Sequence, residues 1–181
     1  MSQETFDFTI ENLGECLVDS PIKLSKTWGD YKANYVRDDT FIRSKVTVFD
    51  TKENEPMDCT NLMEKAGPRE KIYFDPTHVR AGICTCGGLC PGLNDVIRAI
   101  VRCLNKRYGV TTIKGYRYGY HGFFPEEGYA PIDLDPYNVD EIHKIGGTYL
   151  GTSRGGGQRV SDIVDCLERD NINMRFVIGC D

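Results

Sequence analysis

The feature that most constrains how this chain can fold is an alternation that begins at Val79. Val79 to Cys86 is a nearly continuous apolar run, the pattern of a strand buried on both faces of a parallel sheet. It ends in Gly87-Gly88. Beyond that turn Leu93, Val96, Ile97, Ile100, Val101 and Leu104 recur at i, i+3, i+4, i+7, i+8 and i+11, one stripe at the helical period. Pro91 and Gly92 mark the expected start of this helix, with Pro tolerated in a first turn, and Gly109 its end. A second strand is expected over Val110 to Gly115 and a polar helix near Tyr137 to Lys144. After Gly155-Gly156-Gly157 comes an amphipathic helix with Val160, Ile163, Val164 and Leu167 on one face, then a third buried strand from Met174 to Ile178. Strand, helix, strand, helix, strand is the doubly wound, mostly parallel α/β plan, in which ligands bind beyond the C-terminal ends of the strands.

Residues 1–72 lack such a period. Lys45 to Phe49 is a short strand candidate and Glu53 to Asp58 a charged turn, so this part reads as an extension or arm, and residues 73–181 as an α/β domain. A net charge of −5 over 181 residues argues against nucleic acid as the main partner, which demands a basic face. The N-terminus lacks a secretory pattern and no run approaches membrane-spanning length, so a soluble, intracellular protein without a membrane partner is expected. Most of the eight cysteines fall inside apolar elements, where in a reducing compartment they act as small buried hydrophobes. Cys84, Cys86 and Cys90 lack a second Cys/His pair at zinc spacing, and core packing is the expectation for them. The last residues, Phe176 to Asp181, run as a strand into a turn, which points to a longer parent chain.

The two glycine turns carry the chemistry. Glycine lets backbone N–H groups approach an anion closely, and a helix start adds partial positive charge. The wording around Gly87-Gly88 is neither the Walker loop nor G-x-G-x-x-G, so those NTPase and dinucleotide readings lose weight. Arg154, ahead of Gly155, presents a guanidinium suited to grip phosphate oxygens, the alternative being a surface pair with Asp162 or Glu168. Asp181, after a strand end, is placed to hold a magnesium ion bridging phosphate oxygens, or else to cap a turn. His78, His121 and His143 are isolated and carry no comparable signal.

Val79-Arg80-Ala81-Gly82-Ile83 followed by Thr85-Cys86-Gly87-Gly88-Leu89-Cys90-Pro91-Gly92-Leu93-Asn94-Asp95-Val96-Ile97-Arg98 resembles the N-terminal nucleotide-binding segment of 6-phosphofructokinases. The Leu-Cys-Pro-Gly-Leu-Asn wording is that of plant-type and trypanosome-type ATP-dependent enzymes. Tyr116 to Phe124 and Gly146 to Gly156 continue the likeness in order, over roughly residues 73–181; the first 70 residues match more loosely, through Ala33 to Asp39. The resemblance implies Mg²⁺-assisted transfer from ATP to fructose 6-phosphate in the cytoplasm by a homo-oligomer, with the Rossmann-like N-terminal half of the enzyme truncated here. It implies a main-chain ATP contact at Gly87, a second nucleotide contact at Arg154 with Gly155, Tyr118 near the adenine side, and Cys180 and Asp181 in the nucleotide turn, Asp181 holding the metal. That turn is usually Gly-Gly-Asp-Gly, so Cys180 puts a Cβ and a sulfur where backbone passes close to phosphate. The family's catalytic base is expected beyond Asp181, so the 181-residue piece alone is expected to be inactive. A pyrophosphate-dependent enzyme of the same fold and a catalytically silent nucleotide-binding paralogue are the alternatives.

Overall fold

A computed structural model describes residues 7–44 and 62–179. The chain divides into a unit ending at Tyr73 and a unit from Phe74 onward. Among its described residues the first unit holds two antiparallel pairs of short strands. β1 (Val18–Asp19) pairs with β4 (Lys71–Ile72), and β2 (Phe41–Arg43) with β3 (Leu62–Glu64). Side-chain hydrogen bonds cross this unit: Arg69 donates to the carbonyls of Val36 and Lys65 at 3.2 and 2.8 Å. The expected strand at Lys45 to Phe49 and turn at Glu53 to Asp58 lie outside the described residues.

The second unit is a four-stranded sheet in the order β7-β6-β5-β8, with β5 at Arg80–Thr85, β6 at Thr112–Tyr116, β7 at Ile132–Asp133 and β8 at Met174–Ile178. β5 runs parallel to both neighbours, with Ile83 opposite Gly115 on one side and Phe176 on the other; β7 joins antiparallel. Because side chains alternate along β5, Ala81 and Ile83 enter one core with Ile97, Val101 and Leu104 of helix α1 (Leu93–Tyr108), while Cys84 and Cys86 enter another with Ile163 and Cys166 of helix α2 (Val160–Arg169). The helices therefore cover opposite faces, as a doubly wound sheet requires. Gly115 is glycine because a Cβ there would stand 2.5 Å from Leu150. Among the described residues no helix is long and apolar enough to cross a membrane.

Three local expectations are corrected. First, α1 begins after a left-handed Gly92 cap, φ 91°, so Pro91 precedes the helix instead of sitting in its first turn, and Val96 on the expected stripe is 42% exposed. Second, α2 buries Ile163 and Cys166, leaving Val160 and Val164 on the solvent side. Two stripes overlap on this helix; the one used ends at the helix's C-cap, Asp170, whose carboxylate accepts the Tyr116 hydroxyl at 2.8 Å. Third, Tyr137 to Lys144 forms turns and a short 3₁₀ segment at Ile142–Lys144. Here the Asp135 carboxylate takes the N–H groups of Tyr137 and Asn138 at 2.7 and 2.9 Å, a local turn that competes with a helix. β8 is only half buried, Val177 facing out. Cys84, Cys86 and Cys166 are buried as expected, but Cys90 and Cys16 are exposed.

Candidate functional site

The C-terminal ends of β5 and β8 meet where the winding reverses: α1, leaving β5, covers one face, and α2, leading into β8, covers the other. Such a boundary leaves a crevice beyond the strand ends. The Cys86 N–H donates to the Ile178 carbonyl at 2.9 Å, extending the β5–β8 pairing by one step. Gly179 then turns at φ 83°, and a Cβ there would stand 2.4 Å from the Cys86 carbonyl oxygen. Only glycine fits that approach, which sets Gly179 against the residue before the Gly87 turn.

The arginine loop lies against the same turn. Gly87 donates its N–H to the Ser153 carbonyl at 2.9 Å, and its carbonyl accepts the Thr152 hydroxyl at 2.9 Å. Both polar groups of Gly87 are thus used to join the two loops. Gly88 presents the other aspect: it lies beside Arg154, a Cβ on it standing at an ordinary contact distance, 3.5 Å, from a guanidinium nitrogen. Gly155, at φ 78°, has open space where a Cβ would be, whereas Gly156 and Gly157 are packed against Tyr120, with Phe124 also against Gly156. Within the triple-glycine run the first alone has open space where a Cβ would be.

Of the residues expected from sequence, Gly87, Arg154 and Gly155 are brought to this one place. Tyr118 joins them, its ring 2.6 Å from where a Gly151 Cβ would sit and 4.6 Å, centroid to centroid, from Tyr129. Cys180 and Asp181 lie outside the described residues. Asp162, offered as an alternative partner for Arg154, is taken by Arg159 at 2.6 Å. Arg159 also pairs with Glu126 at 2.7 Å and lies 3.8 Å over the Phe124 ring. These contacts raise its pKa, the Glu126 hydrogen bond first and Asp162 second, and they hold the start of α2 against the glycine run.

Sequence reasoning missed the side chains that join the elements. Thr85 is fully buried; its hydroxyl donates to the Gly151 carbonyl at 2.6 Å and lies 3.2 Å from that of Thr148. Asn94, 4% exposed, donates to the carbonyls of Ile142 and Ile145, both at 3.0 Å, and accepts the Tyr149 N–H at 2.6 Å. Its signal was present, since a polar residue stands on the apolar stripe that continues through Ile97 and Val101. Between the start of α1 and the Gly146-Gly147 turn is a cleft of about 320 Å³. The arrangement sets a guanidinium beside glycine turns, groups of the kind that grip phosphate oxygens.

Comparison with known proteins adds the family. The phosphofructokinase family model matches residues 80–181. The chain is 50% identical over all its 181 residues to an ATP-dependent 6-phosphofructokinase of Borreliella burgdorferi, covering 40% of that protein. It is 52% identical over 125 residues to the chloroplastic ATP-dependent 6-phosphofructokinase 5 of Arabidopsis thaliana, 67% of this chain and 23% of the relative. To the Trypanosoma cruzi ATP-dependent 6-phosphofructokinase it is 44% identical over 120 residues, 66% of this chain and 24% of the relative. The chain therefore spans 40% or less of the length of these relatives. The crystal structure of Pichia pastoris phosphofructokinase in the T-state aligns with 58% of this chain and 12% of that one, at 18% identity and a TM-score of 0.48.

Proposed function

This chain belongs to the phosphofructokinase family, and from that premise we propose that it is the nucleotide-binding part of an ATP-dependent 6-phosphofructokinase. In the reaction the 1-hydroxyl oxygen of fructose 6-phosphate attacks the γ-phosphorus of ATP in line. The bond to the β–γ bridging oxygen breaks and ADP leaves. The hydroxyl proton passes to a base that this reading puts beyond Asp181. The work of such a site is positioning and charge stabilisation.

One observation carries the reading: the Gly87 N–H to Ser153 carbonyl bond, which makes one unit of the glycine turn and the loop that bears Arg154. The Arg154 guanidinium lies beside Gly88 and is suited to the oxygens of the β- and γ-phosphates. Gly155 supplies the close main-chain approach, Gly87 spends its own backbone groups on Ser153 and Thr152, and Tyr118 with Tyr129 forms the aromatic wall for the adenine side. Mg²⁺, when bound, neutralises charge on the phosphates. Gly179, whose missing Cβ lets the strand end pass Cys86, leads the chain toward Asp181, which is the residue proposed to hold the metal. The names of the relatives support ATP over pyrophosphate as donor. A cytoplasmic homo-oligomer is part of the same proposal.

The test is a coupled assay on the complete gene product with fructose 6-phosphate and either MgATP or Mg-pyrophosphate. Turnover with ATP is expected. Turnover with pyrophosphate alone would overturn the donor assignment, and failure of both donors would favour a silent nucleotide-binding protein. The 181-residue chain alone is expected to give no turnover.

A further inference from the structure

The segment Thr148 to Ser153 has no regular secondary structure of its own, yet it delivers Arg154. What keeps it in place is a row of hydrogen bonds from β5, from α1 and from the turn after β6. The Leu150 carbonyl accepts the Tyr118 N–H at 2.9 Å, and the Ser153 hydroxyl donates to the Tyr118 carbonyl at 2.5 Å. On the side of β5 the bonds come from Thr85 to Gly151, from Thr152 to Gly87 and from Gly87 to Ser153. Asn94 holds Tyr149 from α1.

Thr85 differs from the others. Its hydroxyl is wholly buried and ends the central strand, and it reaches Gly151, the residue whose φ of 69° starts the bend toward Arg154. A strand residue needs no hydroxyl to pack there; valine has the same shape and a better β propensity. The oxygen is therefore explained by the half-buried Gly151 carbonyl, which would lose this bond without it.

We propose that Thr85 is a positioning residue for the phosphate grip, its buried hydroxyl, assisted by Thr152, setting the register between β5 and the loop that presents Arg154. The proposal rests on the ATP reading of this site. Thr85 touches no reacting atom; it acts through Gly151 and the two residues, Thr152 and Ser153, that separate Gly151 from Arg154. An untethered loop would sample positions in which Arg154 no longer lies beside Gly88, and affinity would fall by the fraction of time spent there.

The experiment compares the complete gene product with its Thr85→Val, Thr85→Ser and Thr152→Val variants. The expected result for Thr85→Val is a KM for MgATP raised by about tenfold, with the KM for fructose 6-phosphate changed by less than about twofold. Thr85→Ser, which keeps the hydroxyl, restores the MgATP value. A merely structural role would lower the amount of active enzyme without this split between substrates. The same variants are exposed to trypsin, which cuts after arginine, and the rate of cleavage between Arg154 and Gly155 is followed without ATP. Faster cleavage in Thr85→Val than in Thr85→Ser supports the tether. An unchanged KM for MgATP together with unchanged cleavage overturns it. Should Thr85→Val fail to fold, Thr152→Val, at a partly exposed site, decides by the same two readouts. A wild-type protein with no ATP-dependent activity overturns the ATP reading instead, and the cleavage rates still decide whether Thr85 holds the loop.

Discussion

Gly179 passes Cys86 so closely that a Cβ on it would stand 2.4 Å from the Cys86 carbonyl oxygen. That oxygen is backbone and has nowhere to go, since the Cys86 N–H is bonded to Ile178 and the next residue is tied to Ser153. The φ of 83° adds strain for any L side chain. Gly179→Ala is therefore expected to destabilise the fold by more than the roughly 1–2 kcal/mol of the left-handed conformation alone. It also displaces the crevice, so MgATP affinity falls with it. Thermal unfolding and nucleotide titration on the same preparation check both.

Arg154→Lys keeps the charge and removes the planar fork. If Arg154 grips phosphate oxygens in the transition state, kcat/KM for ATP drops by roughly 10²–10³, or about 2.7–4 kcal/mol. The melting temperature changes little, because the residue is on the surface of its loop. Steady-state kinetics beside a melting curve separates the two effects.

Tyr116 is buried, stacks on Phe123 at 4.2 Å and donates its hydroxyl to Asp170 at 2.8 Å. Burial first, and the Asp170 carboxylate second, push its pKa above the ordinary tyrosine value. Its neutral form is the one the fold favours. The associated stability is therefore fully present below about pH 10, the unfolded value, and is lost as pH rises from there toward the folded value. Tyr116→Phe should cost about 1–3 kcal/mol at neutral pH, because the Asp170 carboxylate loses a donor, and should flatten the alkaline limb of stability. Urea unfolding at pH 7 and above pH 10 measures both.

Glu126 titrates the other way. Its own backbone N–H and the Arg159 guanidinium hold its pKa below the ordinary glutamate value. The contribution is present above that value and disappears as pH falls through the lowered one. Glu126→Gln is expected to reduce the acid sensitivity of the α2 start, leaving neutral-pH stability almost unchanged since the pair is exposed and screened. Melting temperatures between pH 3 and 7, at low and high salt, give the comparison.

The local elements were legible because each announces itself within a few residues. The apolar run of β5, the stripe of α1 and the glycine that ends that helix need no distant partner to be recognised, and they suffice for a doubly wound sheet. Where two local patterns competed, distance in sequence decided. Val160 and Val164 read as core until Tyr116, 54 residues before Asp170, set the rotation of α2. The expected helix at Tyr137 gave way to the Asp135 turn.

The site divides the same way. Amino-acid order alone picked out the glycine turns and Arg154, which the structure brings together, while Asp181 lies outside the described residues. Which glycine joins the loops and which lies beside the guanidinium depends on Ser153, far along the chain from Gly87. So do the tasks of Thr85 and Asn94, whose polar atoms acquire meaning only from carbonyls 48 to 66 residues away. Composition and period report what a segment buries; only the folded chain reports what each buried polar group holds.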